Sequence, residues 1–157
     1  LETHPDIRTT TYAAYLDRQA QPERPRARPG RLGRLAAGSW VNGDFATWIG
    51  AHEKNHAWDL LSAAKQSFDL VMASGRLGDA ARAEALRQLA VCESSDWFWW
   101  MGDYNPPHAV ASFDRLFRAN LARLYELLHL SAPVVLREPI SGGGGHPEAG
   151  GTMRRSA

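Results

Sequence analysis

The stretch SSDWFWWMGDY at positions 94–104 concentrates the residue types most able to do chemistry. Trp97, Trp99 and Trp100 crowd around Phe98, and Asp96 and Asp103 stand on either side. Trp40 and Trp48 lie in a second aromatic stretch, with Asn42 and Asp44 close by. An indole face stacks on the apolar C–H face of a sugar ring, while neighbouring carboxylates and amides take the hydroxyls. The plain alternative for any one of these tryptophans is a lid on the hydrophobic core. The cluster at 97–100 resists that alternative. In an extended segment Trp97 and Trp99 face one way and Phe98 and Trp100 the other. One of those faces then packs against something outside a small helical domain.

Other chemistries are less well supported. His52 and His56 flank Glu53 with the H-E-x-x-H spacing that puts two imidazoles on one helix face for zinc. Lys54 and Asn55 suit such a helix poorly, and no GxxH follows. The segment reads instead as a polar helix start in which Glu53 complements the helix dipole. No metal ligand set and no cofactor is expected. Glu93 with Asp96, or Asp96 with Asp103, are candidate carboxylate pairs, but their spacing sets neither a retaining nor an inverting separation. Cys92 sits in an apolar helical setting and no GxSxG is present, so a nucleophilic triad has no support and no residue is assigned a catalytic role.

These residues need a frame. The 157 residues suffice for one domain with a real core, at 44% hydrophobic and 22% charged residues. A net charge of +1 argues against nucleic acid or a membrane surface as partner. The single cysteine excludes an internal disulfide framework and fits a reducing, cytoplasmic compartment. Thr9 to Thr11 are placed to cap a short helix in TTYAAYLDRQ. QPERPRARPGRLGR, with Arg24, Arg26, Arg28, Arg31 and Arg34, is too proline-rich for helix and reads as a solvated connector. Residues 35–50 read as extended or looped, with Asn42-Gly43 as a turn.

Helical periodicity then takes over. Trp58, Leu61, Ala64, Phe68 and Met72 make one stripe, stopped at Gly75. Asp79 is the expected cap of a second helix with Ala83, Leu86, Leu89 and Ala90 inward. Asn105-Pro106-Pro107 opens a third, whose stripe is Phe113, Leu116, Phe117, Leu121, Leu124 and Leu128. Val134–Leu136 is expected to be a short strand or an extended tail, and the glycine-rich residues 141–157 disordered. The fold class is therefore mainly α, a bundle of about three long helices with Trp-rich loops. Its parts are a connector over 1–34, a helical domain over 35–140 and a tail over 141–157.

Four segments in this order, GSWVNGDFATWIG, EKNHAWDLL, SSDWFWWMGD and FDRLFRANLARLYELL, resemble the C-terminal region of glycoside hydrolase family 57, on the α-amylase/amylopullulanase-like side. The resemblance spans roughly residues 35–140. It implies a retaining α-glucan-active enzyme, with an incomplete (β/α) barrel followed by a helical region that closes one side of the cleft. The implied catalytic Glu and Asp lie on that barrel, upstream of Leu1, so this chain alone is expected to be inactive. Ser95, Asp96 and Trp97 look like the last family motif. Asp96 and Trp97 are then the first choice for substrate contact, followed by Trp40, Trp48 and Trp99. The implied partners are an α-glucan or other oligosaccharide and the barrel of the same polypeptide, which LETHPDIRTTTYAAYL would leave as a connector. Two departures are Ala51-His52, where the family often has a His-Pro-type pair, and Met101, where a Tyr is common.

A different class of function is a stand-alone helical carbohydrate-binding or protein-interaction module. The reading frame upstream of Leu1 separates the two. Continuation into a barrel with Glu and Asp motifs favours the hydrolase, and an immediate start codon favours the module.

Overall fold

The computed structural model describes residues 3–20 and 30–145, in two units divided between Ala36 and Ala37. Arg24, Arg26 and Arg28, and residues 146–157 of the expected tail, lie outside the described residues. Those described are mainly helical, with no strand among them. No described helix is long and apolar enough to cross a membrane.

In the first unit, α1 (Tyr12–Gln19) is capped by Thr11, whose hydroxyl accepts from Ala14 N at 3.2 Å. It buries none of its residues. The second unit holds α2 (His52–Ala73), α3 (Asp79–Cys92), the short α4 (Asp96–Trp100) and α5 (Pro107–Leu127). α5 packs against α2, α3 and α4, and α2 also meets α3.

Each long helix turns one stripe inward. On α2 it is Lys54, Ala57, Leu61, Ala64, Phe68 and Val71. On α5 it is Val110, Asp114, Phe117, Leu121, Leu124 and Tyr125, with Leu128 buried just beyond. The expected terminators act largely as read. Gly75 takes φ +68° directly after the α2 C-cap, and Pro107 is the first residue of α5. The α5 end carries a left-handed His129, with Leu130 N donating to Tyr125 O and His129 N to Glu126 O, both at 2.9 Å. This is a Schellman closure with histidine in the usual glycine place.

Four expectations are corrected. The α3 stripe is rotated: Ala85, Leu89 and Cys92 are buried, whereas Leu86 is 59% exposed and Ala83 and Ala90 are exposed. Alanines surround this helix, so its periodicity is shallow, and Cys92 extends the Ala85–Leu89 row by the helical spacing. Gly78 rather than Asp79 is the N-cap. Residues Val134–Arg137 form a 3₁₀ turn rather than an extended segment. Arg118 explains it: Nη1 donates to Leu136 O at 3.0 Å, while Nε and Nη2 bind Asp114 at 2.9 and 2.7 Å. The other oxygen of buried Asp114 accepts from Ile140 N at 2.7 Å, tying this arm to α5. Finally, residues 141–145, expected in the disordered tail, dock with Ser141 4% exposed.

The rotated α3 stripe sets up a direct comparison. Leu89→Ala should destabilise by about 2–5 kcal/mol, the usual cost of emptying a packed leucine site. Leu86→Ala should stay within about 0.5 kcal/mol of the parent. Urea unfolding of both variants measures the difference, and equal losses would return Leu86 to the core.

Candidate functional site

The aromatic run at 97–100 is a helical turn and not an extended segment. Phe98 N and Trp99 N both bond to Ser95 O, at 3.1 and 3.2 Å. Successive side chains therefore fan out by about 100° instead of alternating. Each aromatic meets a different partner. Trp97 is 8% exposed, packs edge-on to Phe113 at 6.2 Å and donates from Nε1 to Val91 O at 3.0 Å. Phe98 is buried and stacks on Trp58 at 4.0 Å. Trp100 stacks on Phe113 at 4.8 Å.

Trp99 turns the other way, to the loop before α2. Trp40 lies parallel to it, with 5.8 Å between ring centroids and 8° between planes. Trp48 leans on the same ring at 5.7 Å and 42°. Trp40 remains 71% exposed in spite of this stack, so much of its second face is open to solvent. Phe45 and Ile49 of the same loop are also exposed. An open indole face with apolar neighbours suits the C–H face of a sugar ring.

The loop is shaped by backbone-directed polar groups. Asn42 and Gly43, both at positive φ, are the centre of a turn closed by Asp44 N to Val41 O at 3.3 Å. This is the hairpin-type turn that Asn-Gly favours. The Asp44 carboxylate accepts from Ala46 N at 2.9 Å. Asn55 clamps the loop's end, accepting from Gly50 N at 2.9 Å and donating to Gly50 O at 3.2 Å. Trp58 Nε1 donates to Trp48 O at 3.0 Å.

Beneath the loop is Lys54, 1% exposed. Its Nζ donates to Thr47 O and, at 2.6 Å, to the Tyr104 hydroxyl, which passes a bond to Trp99 O at 3.1 Å. One ammonium thus joins the residue before Trp48 to the carbonyl of Trp99. Burial pulls Lys54 from its ordinary 10.5 down to about 8, against the opposing pull of Glu53 and Asp103. Burial, reinforced by the charges of Asp103 and Glu53, pushes Tyr104 up to about 12. Buried Asn105 completes the frame by donating from Nδ2 to Trp99 O at 2.9 Å and Trp100 O at 3.0 Å.

Of the expected contact residues, Trp40, Trp48 and Trp99 come together. Trp97 does not join them and is a core residue, because helical winding turns it toward α5. Asp96 is exposed at the first turn of α4. Lys54, Tyr104 and Asn105 were not anticipated as parts of the site. Lys54 carried a readable signal, since it continues the row of Ala57, Leu61 and Ala64 inward. Among the described residues, no group of three or more His, Cys, Asp or Glu is placed to hold a metal ion. Comparison with protein-family models, curated proteins and solved structures finds no match to this chain.

Lys54 makes a pH prediction. Between about pH 8 and 10.5 the unfolded chain still holds the lysine proton that the folded chain has released, so stability contributed at this site rises with pH. The stability of the parent relative to Lys54→Met should therefore rise by about 1.5 kcal/mol from pH 8 to 9.5. The difference cancels Cys92, whose thiol is pushed up to about 11 by burial. Denaturant titrations across that range check it, and a flat difference would place Lys54 in a water-like setting.

Proposed function

We propose that this chain is the C-terminal helical, cleft-forming part of a retaining α-glucan-active hydrolase resembling glycoside hydrolase family 57. The catalytic Glu and Asp would be supplied by a (β/α) barrel of the same polypeptide, and this segment would contribute a wall that holds the glucan. The observation that carries the reading is the exposed Trp40 ring stacked on Trp99 with Trp48 beside it. Two of the segments that resemble the family supply these rings, GSWVNGDFATWIG with Trp40 and Trp48, and SSDWFWWMGD with Trp99.

The chemistry assigned to this surface is binding. A glucose ring laid on the outer face of Trp40 would leave its hydroxyls at the rim, within the reach of loop amides and waters. Indole stacking suits a polymer of repeating rings because each unit presents a similar apolar face. Nothing in this reading asks the chain's own carboxylates to cleave a bond.

The test is a titration of the chain with maltoheptaose, followed by tryptophan fluorescence or calorimetry. Trp40→Ala should weaken binding at least tenfold, about 1.4 kcal/mol. Its stability should change little, since the ring is largely exposed. Equal dissociation constants for parent and variant, or no binding by the parent, would refute the reading.

A further inference from the structure

The glycine run after α5 bears on the same surface. Ser141 is buried, and its hydroxyl accepts from Gly102 N at 3.2 Å. Gly144 N and Gly145 N both donate to Asn105 O, at 3.2 and 2.9 Å. The backbone of Asn105 is thus held by the glycine run while its side chain holds the last carbonyls of α4. The contact depends on missing side chains. A Cβ on Gly145 would lie 2.1 Å from Tyr104 O. One on Gly143, at φ +70°, would lie 2.9 Å from both Pro107 Cα and Val110 Cγ2. One on Gly142 would meet nothing within 4 Å.

A flexible linker needs no such fit. Small size matters at Gly143 and Gly145 and not at Gly142, the pattern of a docked strap. Its partners are the loop just after α4 and the start of α5, and buried Asn105 bonds to the strap through its carbonyl and to Trp99 through its side chain. We propose that Ser141–Gly145 is a positioning element of the aromatic site, setting Trp99 against Trp40 through Asn105. Its relevance to glucan rests on the functional reading above, but its effect on ring geometry does not.

The experiment reads the rings directly. Two indoles stacked at this separation, with their in-plane transition moments turned relative to each other, couple excitonically and give a paired far-ultraviolet circular-dichroism signal, assigned here as the part lost in Trp40→Ala. In Gly145→Ala that signal should fall by at least half at low temperature, with helix content retained, and maltoheptaose affinity should fall with it. Gly142→Ala should match the parent in both. Ser141→Ala, which removes one hydroxyl anchor and adds no bulk, should lower the signal partway and decides the matter should Gly145→Ala not fold. An unchanged signal in folded Gly145→Ala, or in Ser141→Ala where that variant decides, overturns the proposal. A lost ring signal in a chain that binds no maltoheptaose upholds the strap and refutes only the glucan reading.

Discussion

The burial of a single ammonium group organises the aromatic surface. Lys54 lies on the inward stripe of α2, where an alkyl side chain would be the easy solution. A charge removed from water is costly unless it finds good partners. Here its partners come from the loop before α2 that carries Trp40 and Trp48, through Thr47 O, and from the loop after α4, through the Tyr104 hydroxyl. The lysine stem also lies close enough for Nζ to sit 4.8 Å from the Tyr104 ring centroid. Because the ammonium must keep these partners to remain buried, the two loops are bound to one geometry. The depressed pKa records the part of the desolvation cost that they do not offset.

The second constraint is the shape of α4. A five-residue helix with four consecutive aromatics cannot face them all toward one core. The structure divides them by direction. Trp97 goes to Phe113 and Phe117 on α5, Phe98 to Trp58 on α2, and Trp100 stacks on Phe113. Only Trp99 depends on a loop for its partners. Its carbonyl is correspondingly well held, accepting from Tyr104 and Asn105 together. The ring whose partners all lie on a loop thus has a closely held backbone, which keeps a half-buried aromatic in place.

The long helices were legible because their signals are redundant. Phe117, Leu121, Leu124 and Leu128 of the expected α5 ladder are buried and only Leu116 of it is exposed, at 49%, while proline and glycine mark the start of α5 and the end of α2. α3 was misread because alanine fits either face of a helix and gives periodicity little contrast. Leu86 falls on the expected stripe with Ala83, Leu89 and Ala90, although Ala85 and Cys92 fix the true direction. The aromatic run failed for a different reason. Bulky aromatics favour strands weakly, but here Ser95 O accepts from two successive N–H groups and packing outweighs propensity. The glycine tail was read from composition, which cannot distinguish a flexible run from one selected for close approach.

The candidate site was legible as a set of residue types but not as a geometry. Trp40 and Trp99 are separated by 59 positions, and nothing in either segment announces their contact. What joins them is a set of side chains that bond to backbone carbonyls: Lys54 to Thr47, Trp58 to Trp48, Tyr104 and Asn105 to Trp99. Such bonds are insensitive to the identity of the residue whose carbonyl accepts. The rings can therefore be exchanged while the frame that aims them is kept, and the frame is where a substitution would act at a distance. Lys54 and Asn105 are buried with their polar atoms satisfied, so removing either leaves acceptors unpaired in a dry setting. An exposed aromatic surface built this way has its tolerance at the rings and its intolerance one layer below.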